Sequence, residues 1–381
     1  MSHHTVITAP AVPAAGSLRR RVAAVVALLT TALVTAVAPT PAATPPAQAA
    51  AETGNPLTAR PWGIDTRHEL WKAYDAAFGD AKRLLGKMAL EPTVFWFTDI
   101  APVDDVARRV AAHIESAQDG DPDTLVQIAM FRLWPEGEAN RDKPLTLADR
   151  RAYRRWVDNA ARGIGDARVA MVLEPDLAVS LTGWRPEVRL RLARYAAKKF
   201  SALPRTTVYL DAGSSDWLSV PAAVQMLRTA GIEYARGFSL GATHYTSTTS
   251  EIAYGTAIVR ALRGAGFGGR RFVIDTADSG RPFTYREYYA KHPNGFFDNA
   301  EACRTLSERR CVTLGIPPTT AVALTRWGLP ERQRRQARAH VDGYLWFSRP
   351  WYVYGRPLGE VSTDGPFDLL RALAVARTSR Y

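Results

Sequence analysis

The run Val169-Ala170-Met171-Val172-Leu173-Glu174-Pro175-Asp176 sets two carboxyl groups around a proline directly after five apolar residues. The apolar run has the character of a strand buried on both faces. Pro175 stops it, because proline has no N–H for the ladder and fixes its own φ. Asp176 is thereby delivered to the carboxyl end of a buried strand, where α/β proteins put their chemistry. Partial burial there raises a carboxyl pKa and suits the group to general acid work. The structural alternative is that both acids cap helices or pair with arginines such as Arg132 or Arg236.

Three further segments end apolar runs in groups that could meet a substrate. Tyr209-Leu210-Asp211-Ala212-Gly213-Ser214 places small residues after a strand, where another molecule can approach the backbone. Trp217 follows, and its ring could stack on the apolar face of a sugar. Arg236 to Tyr245 ends in His244 and Tyr245. Asp342 to Trp351 brings Trp346, Arg349 and Trp351 to a strand end. Such residues suit sugar stacking and hydroxyl binding, and suit nucleobases equally well. Core packing is the alternative for each tryptophan.

These groups need a scaffold that brings strand ends together. Short β-rich runs recur at 94–100, 125–133, 169–173, 207–210, 237–245, 272–274 and 344–347. Segments with helical spacing lie between most of them, at 103–116, 147–164, 187–200, 220–230, 251–262 and 331–341, and a last helix falls at 368–378. Alternating strand and helix gives a mostly parallel sheet with right-handed crossovers. Asp99, Glu136, Asp176, Asp211, His244, Asp275 and Arg349 all fall at or after strand ends, which fits a barrel with one active rim. A flavodoxin-like open sheet is the alternative. No Gly-x-Gly-x-x-Gly opens a helix, which argues against a dinucleotide fold. The long irregular stretch 278–332 has the length of a cover over a site.

The chain has 381 residues, 46% of them hydrophobic, enough for one large core. Arg19-Arg20-Arg21, the apolar run 22–38 and Ala47-Gln48-Ala49 have the order of a cleavable export leader over 1–49, with an uncleaved anchor as the alternative. The arginine pair matches a twin-arginine signal poorly. Residues 50–90 read as a lead-in, its start rich in Pro, Ala and Thr, and 91–381 as one catalytic domain. Removing the leader leaves most of the formal charge of +12. The arginines are spread along helices without a dense block, which is a solvated basic surface and no nucleic-acid footprint. Such a surface could approach an anionic cell wall. Cys303 and Cys311 are the only cysteines, and export makes a disulfide between them the expectation. They make a poor metal site, with no histidine near in sequence.

Carboxylates and aromatics at one rim of an exported protein favour a polysaccharide. At this point the motifs resemble glycoside hydrolase family 6, the family of cellobiohydrolases and endo-β-1,4-glucanases, from about Phe95 to Val375. Leu173-Glu174-Pro175-Asp176-Leu177-Ala178 is similar to the family's acid motif. Tyr209-Leu210-Asp211-Ala212-Gly213 with Trp217 is similar to its second signature, and Ile274-Asp275-Thr276 and Leu345-Trp346 follow in order. The resemblance implies a distorted barrel of about seven parallel strands, inversion at the anomeric carbon, and no metal or other cofactor. It implies Asp176 as general acid, Trp217 stacking on sugar, Asp211 beside the site, and His244 where the family has a sugar-binding asparagine.

The chain also departs from the family. A Tyr-Asp-Leu-Pro run leading to a second aspartate is replaced by Phe131-Arg132-Leu133-Trp134-Pro135-Glu136-Gly137-Glu138, so Glu136 and Glu138 are the carboxylates left to assist the water. The histidine of the second signature is Ser214. An ungapped alignment puts Ser348, Tyr352 and Tyr354 where the late loop carries a lysine, a glutamate and the base aspartate. Arg310 precedes Cys311 in place of a tryptophan. The leading expectation is a secreted, monomeric β-glucan hydrolase with no stable membrane insertion once the leader is removed. The alternative is a sugar-binding or cell-wall-binding relative without the base.

Overall fold

The computed structural model describes residues 54–58, 61–133, 143–354 and 367–381. Glu136 and Glu138 lie outside the described residues, as do Trp134 and the leader. Seven strands form one parallel sheet in sequential order: β1 (Phe95–Phe97), β2 (Val126–Met130), β3 (Val169–Leu173), β4 (Thr206–Asp211), β5 (Gly237–Leu240), β6 (Arg271–Asp275) and β7 (Val341–Leu345). Every neighbouring pair is parallel. The expected open flavodoxin-like alternative fails on strand order, because an order that never reverses curls the sheet toward closure.

Closure is incomplete. β1 and β7 form no ladder, but Val94 N donates to Trp346 O at 2.8 Å and Trp96 Nε1 donates to Phe347 O at 2.7 Å. Each strand divides its side chains by the period of two. In β3, Val169, Met171 and Leu173 face the helices, whereas Ala170 and Val172 join Ala129, Tyr209, Val273 and Leu345 inside the barrel. Gly237 is required where β5 and β6 meet, since a Cβ there would collide with the Arg271 carbonyl.

Ten helices are described: α1 (Glu69–Ala76), α2 (Gly79–Ala89), α3 (Val106–Gln118), α4 (Leu147–Ile164), α5 (Pro186–Phe200), α6 (Val220–Ala230), α7 (Thr248–Gly264), α8 (Tyr285–Lys291), α9 (Glu331–His340) and α10 (Leu369–Arg377). The α4 helix shows how local sequence sets them. Thr146 and Asp149 form a capping box, and Tyr153, Trp156, Val157, Ala160, Ala161 and Ile164 make one buried stripe. The lead-in is more ordered than its composition suggests. Leu57 is fully buried, Trp62 is buried, and α1 and α2 pack with α10 over a second core that includes Trp346 and Trp351. The described residues from Leu57 onward therefore belong to the fold. Cys303 and Cys311 form the expected disulfide within the irregular segment.

At the amino ends of the strands a buried Asp342 binds three donors. Tyr209 OH lies 2.9 Å away, Arg236 Nε 2.9 Å and Arg271 Nε 2.5 Å. This cluster ties β4, β6, β7 and the lead into β5 at the floor of the barrel, opposite the site.

Candidate active site

The carboxyl ends of the strands open into a cleft of ≈ 210 Å³. Trp96 and Thr98 come from the end of β1, Phe131 from β2, Asp176 from β3, Thr243 and Tyr245 from β5, Asp278 from β6, and Ser348, Arg349 and Pro350 from β7. Asp298, Tyr354 and Arg371 complete the wall.

Asp176 reaches the cleft through a strained turn. Glu174 and Asp176 flank Pro175 with φ 52° and 64°, in the left-handed region that non-glycine residues rarely adopt. The buried Glu174 carboxylate holds the turn. It accepts from Arg132 N at 3.1 Å, Leu133 N at 3.0 Å and Tyr153 OH at 2.7 Å. Burial nevertheless pushes its pKa up to about 7, against those donors. Glu174 is thus a structural acid served by the Arg132 and Leu133 backbone, and Arg236 pairs with Asp342.

Asp176 itself is half-buried. Its Oδ1 lies 2.8 Å from Thr243 Oγ1, which is also 2.7 Å from Ala242 O. A threonine hydroxyl has one proton, so it cannot donate fully to both. Thr243 therefore shares its proton between the Asp176 carboxyl and Ala242 O, which ties Asp176 to the end of β5.

Behind Asp176, Asp211 is fully enclosed and does not line the cleft. Its Oδ1 accepts from Gly213 N at 3.0 Å. Burial, and then the charge of Asp176, push its pKa well above the usual carboxylate range. Two carboxyls so placed do not both ionise cheaply, which favours a proton on the pair.

Ser214 is also enclosed. It donates to Glu251 Oε1 at 2.9 Å, and Ser215 N and Thr246 Oγ1 converge on the same oxygen. Ser214 therefore holds a loop in place of touching substrate. His244 Nδ1 pairs with Asp216 Oδ1 at 2.7 Å, and Trp217 stacks on the His244 ring at 5.1 Å. Burial works against protonation of His244, but Asp216 outweighs it and raises the pKa. Trp217 is half-buried against the core and His244 covers one of its faces.

The aromatic assignment needs one correction. Trp346 is 1% exposed, its Nε1 donates to Ile316 O, and it belongs to the core. The cleft tryptophan is Trp96, which the sequence reading passed over because the FWF run looked wholly like strand. Arg349 does line the cleft, with its guanidinium carbon 5.1 Å from the Trp96 ring and 4.6 Å from the Tyr352 ring. Tyr245 borders the cleft, with its hydroxyl donating to Asp298 O at 3.1 Å. Thr243, Asp278 and Asp298 were not singled out either. The rim rule that found Asp275 would have reached Asp278 three residues later.

Comparison with known proteins matches this arrangement. The sequence pattern of glycosyl hydrolases family 6 matches residues 57–322. Endoglucanase A of Cellulomonas fimi is 34% identical over 219 residues, covering 57% of this chain and 46% of that protein. Endoglucanase 1 of Streptomyces halstedii is 28% identical over 220 residues, covering 57% of this chain and 67% of that protein. The aligned region thus spans about half to two thirds of the length of these relatives. In three dimensions, the endoglucanase Cel6 from Mycobacterium tuberculosis, solved with methyl-cellobiosyl-4-deoxy-4-thio-β-D-cellobioside, superposes with a TM-score of 0.67. It is 27% identical, and the match covers 85% of this chain and 99% of that one. A pattern match over most of the chain, the same seven-stranded fold and a strand-end aspartate in the cleft lead to one conclusion: the chain belongs to glycosyl hydrolases family 6.

Proposed function

We propose that this chain is an exported hydrolase of β-1,4-glucosidic bonds in cellulose or a related β-glucan, acting with inversion and with Asp176 as general acid. The observation that carries the reading is Asp176, held at the end of β3 in the cleft with the Thr243 hydroxyl donating to its carboxyl and fixing its direction.

The chemistry follows from that placement. Breaking a glycosidic bond needs a proton on the leaving oxygen as the C–O bond lengthens. Asp176 supplies it, and the enclosed Asp211 disfavours early loss of that proton. Trp96 offers a flat apolar surface for a pyranose ring, with Arg349 beside it to donate to sugar hydroxyls. Water attacks the opposite face of the anomeric carbon, and its proton passes to a carboxylate separated from the acid by the sugar. Relatives named as endoglucanases support a β-glucan as substrate, and the leader-like segment supports export.

The cleft gives one specific reason for a second reading. Tyr354 lines it at the position where the ungapped alignment puts the family's base. A relative without a base would bind glycan and leave it intact. Purified protein incubated with carboxymethylcellulose, mixed-linkage β-glucan and cello-oligosaccharides separates the two readings. New reducing ends, absent in Asp176→Asn, support the hydrolase. Oligosaccharide binding by calorimetry with no new ends supports the binding protein.

A further inference from the structure

Asp278 is a buried carboxyl that the acid half of the reaction leaves without a role. It follows the end of β6, three strands along the curled sheet from Asp176, and borders the same cleft. The residue is 5% exposed, yet its Oδ1 has no hydrogen-bond partner. An unpaired buried carboxyl oxygen is costly, and a site that keeps one has a use for it or a ligand to fill it.

The surroundings couple it to a second buried acid. Ser348 stands between the two acids of this wall: its N–H donates to Asp275 Oδ2 at 2.5 Å, and its side chain lowers the pKa of both Asp275 and Asp278. Ser348 Oγ in turn accepts from Thr243 N at 3.2 Å, on the residue that contacts Asp176. The groups facing Asp278 are Asp275, Ser348, Tyr245 and Arg371. Burial, then the Asp275 charge, push Asp278 up, and the Arg371 guanidinium opposes them. The two aspartates therefore hold a proton between them, and Asp278 is free to accept when that proton lies on Asp275, with Ser348 connecting the two.

We infer that Asp278 is the catalytic group that takes the proton from the attacking water, with Asp275 and Ser348 positioning it. This rests on the hydrolase reading above. The step balances: a water O–H bond breaks and its proton goes to Asp278 Oδ1. The water oxygen bonds the anomeric carbon, the glycosidic C–O bond breaks, and the Asp176 proton ends on the leaving oxygen. Solvent returns Asp278 and Asp176 to their starting states. Asp211 is unsuited to this role because it is sealed from the cleft, and Asp298, exposed at the cleft wall, is the competing carboxyl that the test separates.

The test compares the full chain with Asp176→Asn, Asp278→Asn and Asp298→Asn on cello-oligosaccharides and on a dinitrophenyl β-cello-oligoside. The dinitrophenolate leaves without protonation, so loss of the acid spares that substrate and loss of the base does not. For Asp278→Asn the expected result is a fall in kcat of about 10²-fold or more on both substrates. Added azide should restore turnover of the dinitrophenyl substrate, with an α-glycosyl azide as product. Asp278→Ser serves if the asparagine variant does not fold. The inference is overturned by Asp278→Asn turning over within tenfold of wild type, by a loss confined to KM, by a loss that azide leaves untouched, or by azide rescue of Asp298→Asn instead. Wild type that releases no reducing ends from any substrate overturns the hydrolase reading and this inference with it. An active wild type with an active Asp278→Asn overturns this inference alone.

Discussion

Thr243 Oγ1 lies 2.8 Å from Asp176 Oδ1, and both residues hold their backbones in the left-handed region, at φ 60° and 64°. Each conformation costs free energy for a residue with a Cβ, of order 1–3 kcal/mol. Two such residues in contact at one rim concentrate backbone strain beside the cleft. The contact joins the end of β3 to the end of β5 and fixes the direction of the Asp176 carboxyl.

Removing that contact without adding strain isolates its role. Thr243→Gly deletes the hydroxyl and leaves a residue at ease with positive φ. Activity on cello-oligosaccharides is expected to fall about tenfold, the size of one hydrogen bond to an ionisable group. The effect should appear in kcat and in the alkaline limb of the pH profile, with KM nearly unchanged. Steady-state kinetics across pH check this; an unchanged kcat would contradict it.

Trp96 is expected to act on binding. Trp96→Ala removes the tryptophan face of the cleft and one of the two rings against Arg349. KM for cello-oligosaccharides should rise about tenfold, in line with ~1 kcal/mol for a ring contact. Trp346→Ala should instead lower Tm, because that ring is core. Kinetics and thermal melts on both variants distinguish the two.

The floor of the barrel should govern stability and leave chemistry alone. Asp342→Ala strands Arg236 and Arg271, whose guanidiniums converge on that carboxylate. Removing one partner from a buried charge cluster costs about 3–5 kcal/mol. Denaturant unfolding should show the loss, while the kcat of the folded fraction stays near wild type.

Stability should fall as pH rises through neutrality. Glu174 is raised from 4.5 to about 7 in the folded protein, so it favours the folded state fully below 4.5 and loses that effect as pH passes about 7. His244 is also raised, and its contribution is present below its ordinary 6.5 and lost at higher pH. Both act in the same direction. Glu174→Gln keeps an acceptor for Arg132 N and Leu133 N and removes the titration. Its unfolding free energy should be flatter than that of wild type between pH 5 and 8, by up to about 3 kcal/mol.

The sequence made the scaffold legible because its signals are local. The buried run of β3 is bounded by Pro175, and α4 and α6 begin and end where their caps and stripes place them. The place of Asp176 at a strand end was legible for the same reason, since a proline forces a carboxyl out of a strand. Distant pairings were not. Nothing around Trp346 in sequence says that Ile316 O waits for its indole N–H, and nothing around Trp96 says that the gap between β1 and β7 leaves it facing the cleft. Ser214 looked like a rim residue until Glu251, on α7, was brought beside it. The lead-in was misjudged because its Pro-rich start masks Leu57 and Trp62, which are buried only when residues from the far end of the chain pack over them.

The central claim is that Asp176 donates the proton that releases the sugar. It is tested most directly by following reducing-end release from cello-oligosaccharides by wild type and Asp176→Asn, with proton NMR on the first product. The account expects α-configured product from wild type and a fall in kcat of about 10²–10⁴-fold in the variant, with an unchanged thermal melt. Asp176→Asn as active as wild type, or β-configured first product, would contradict it.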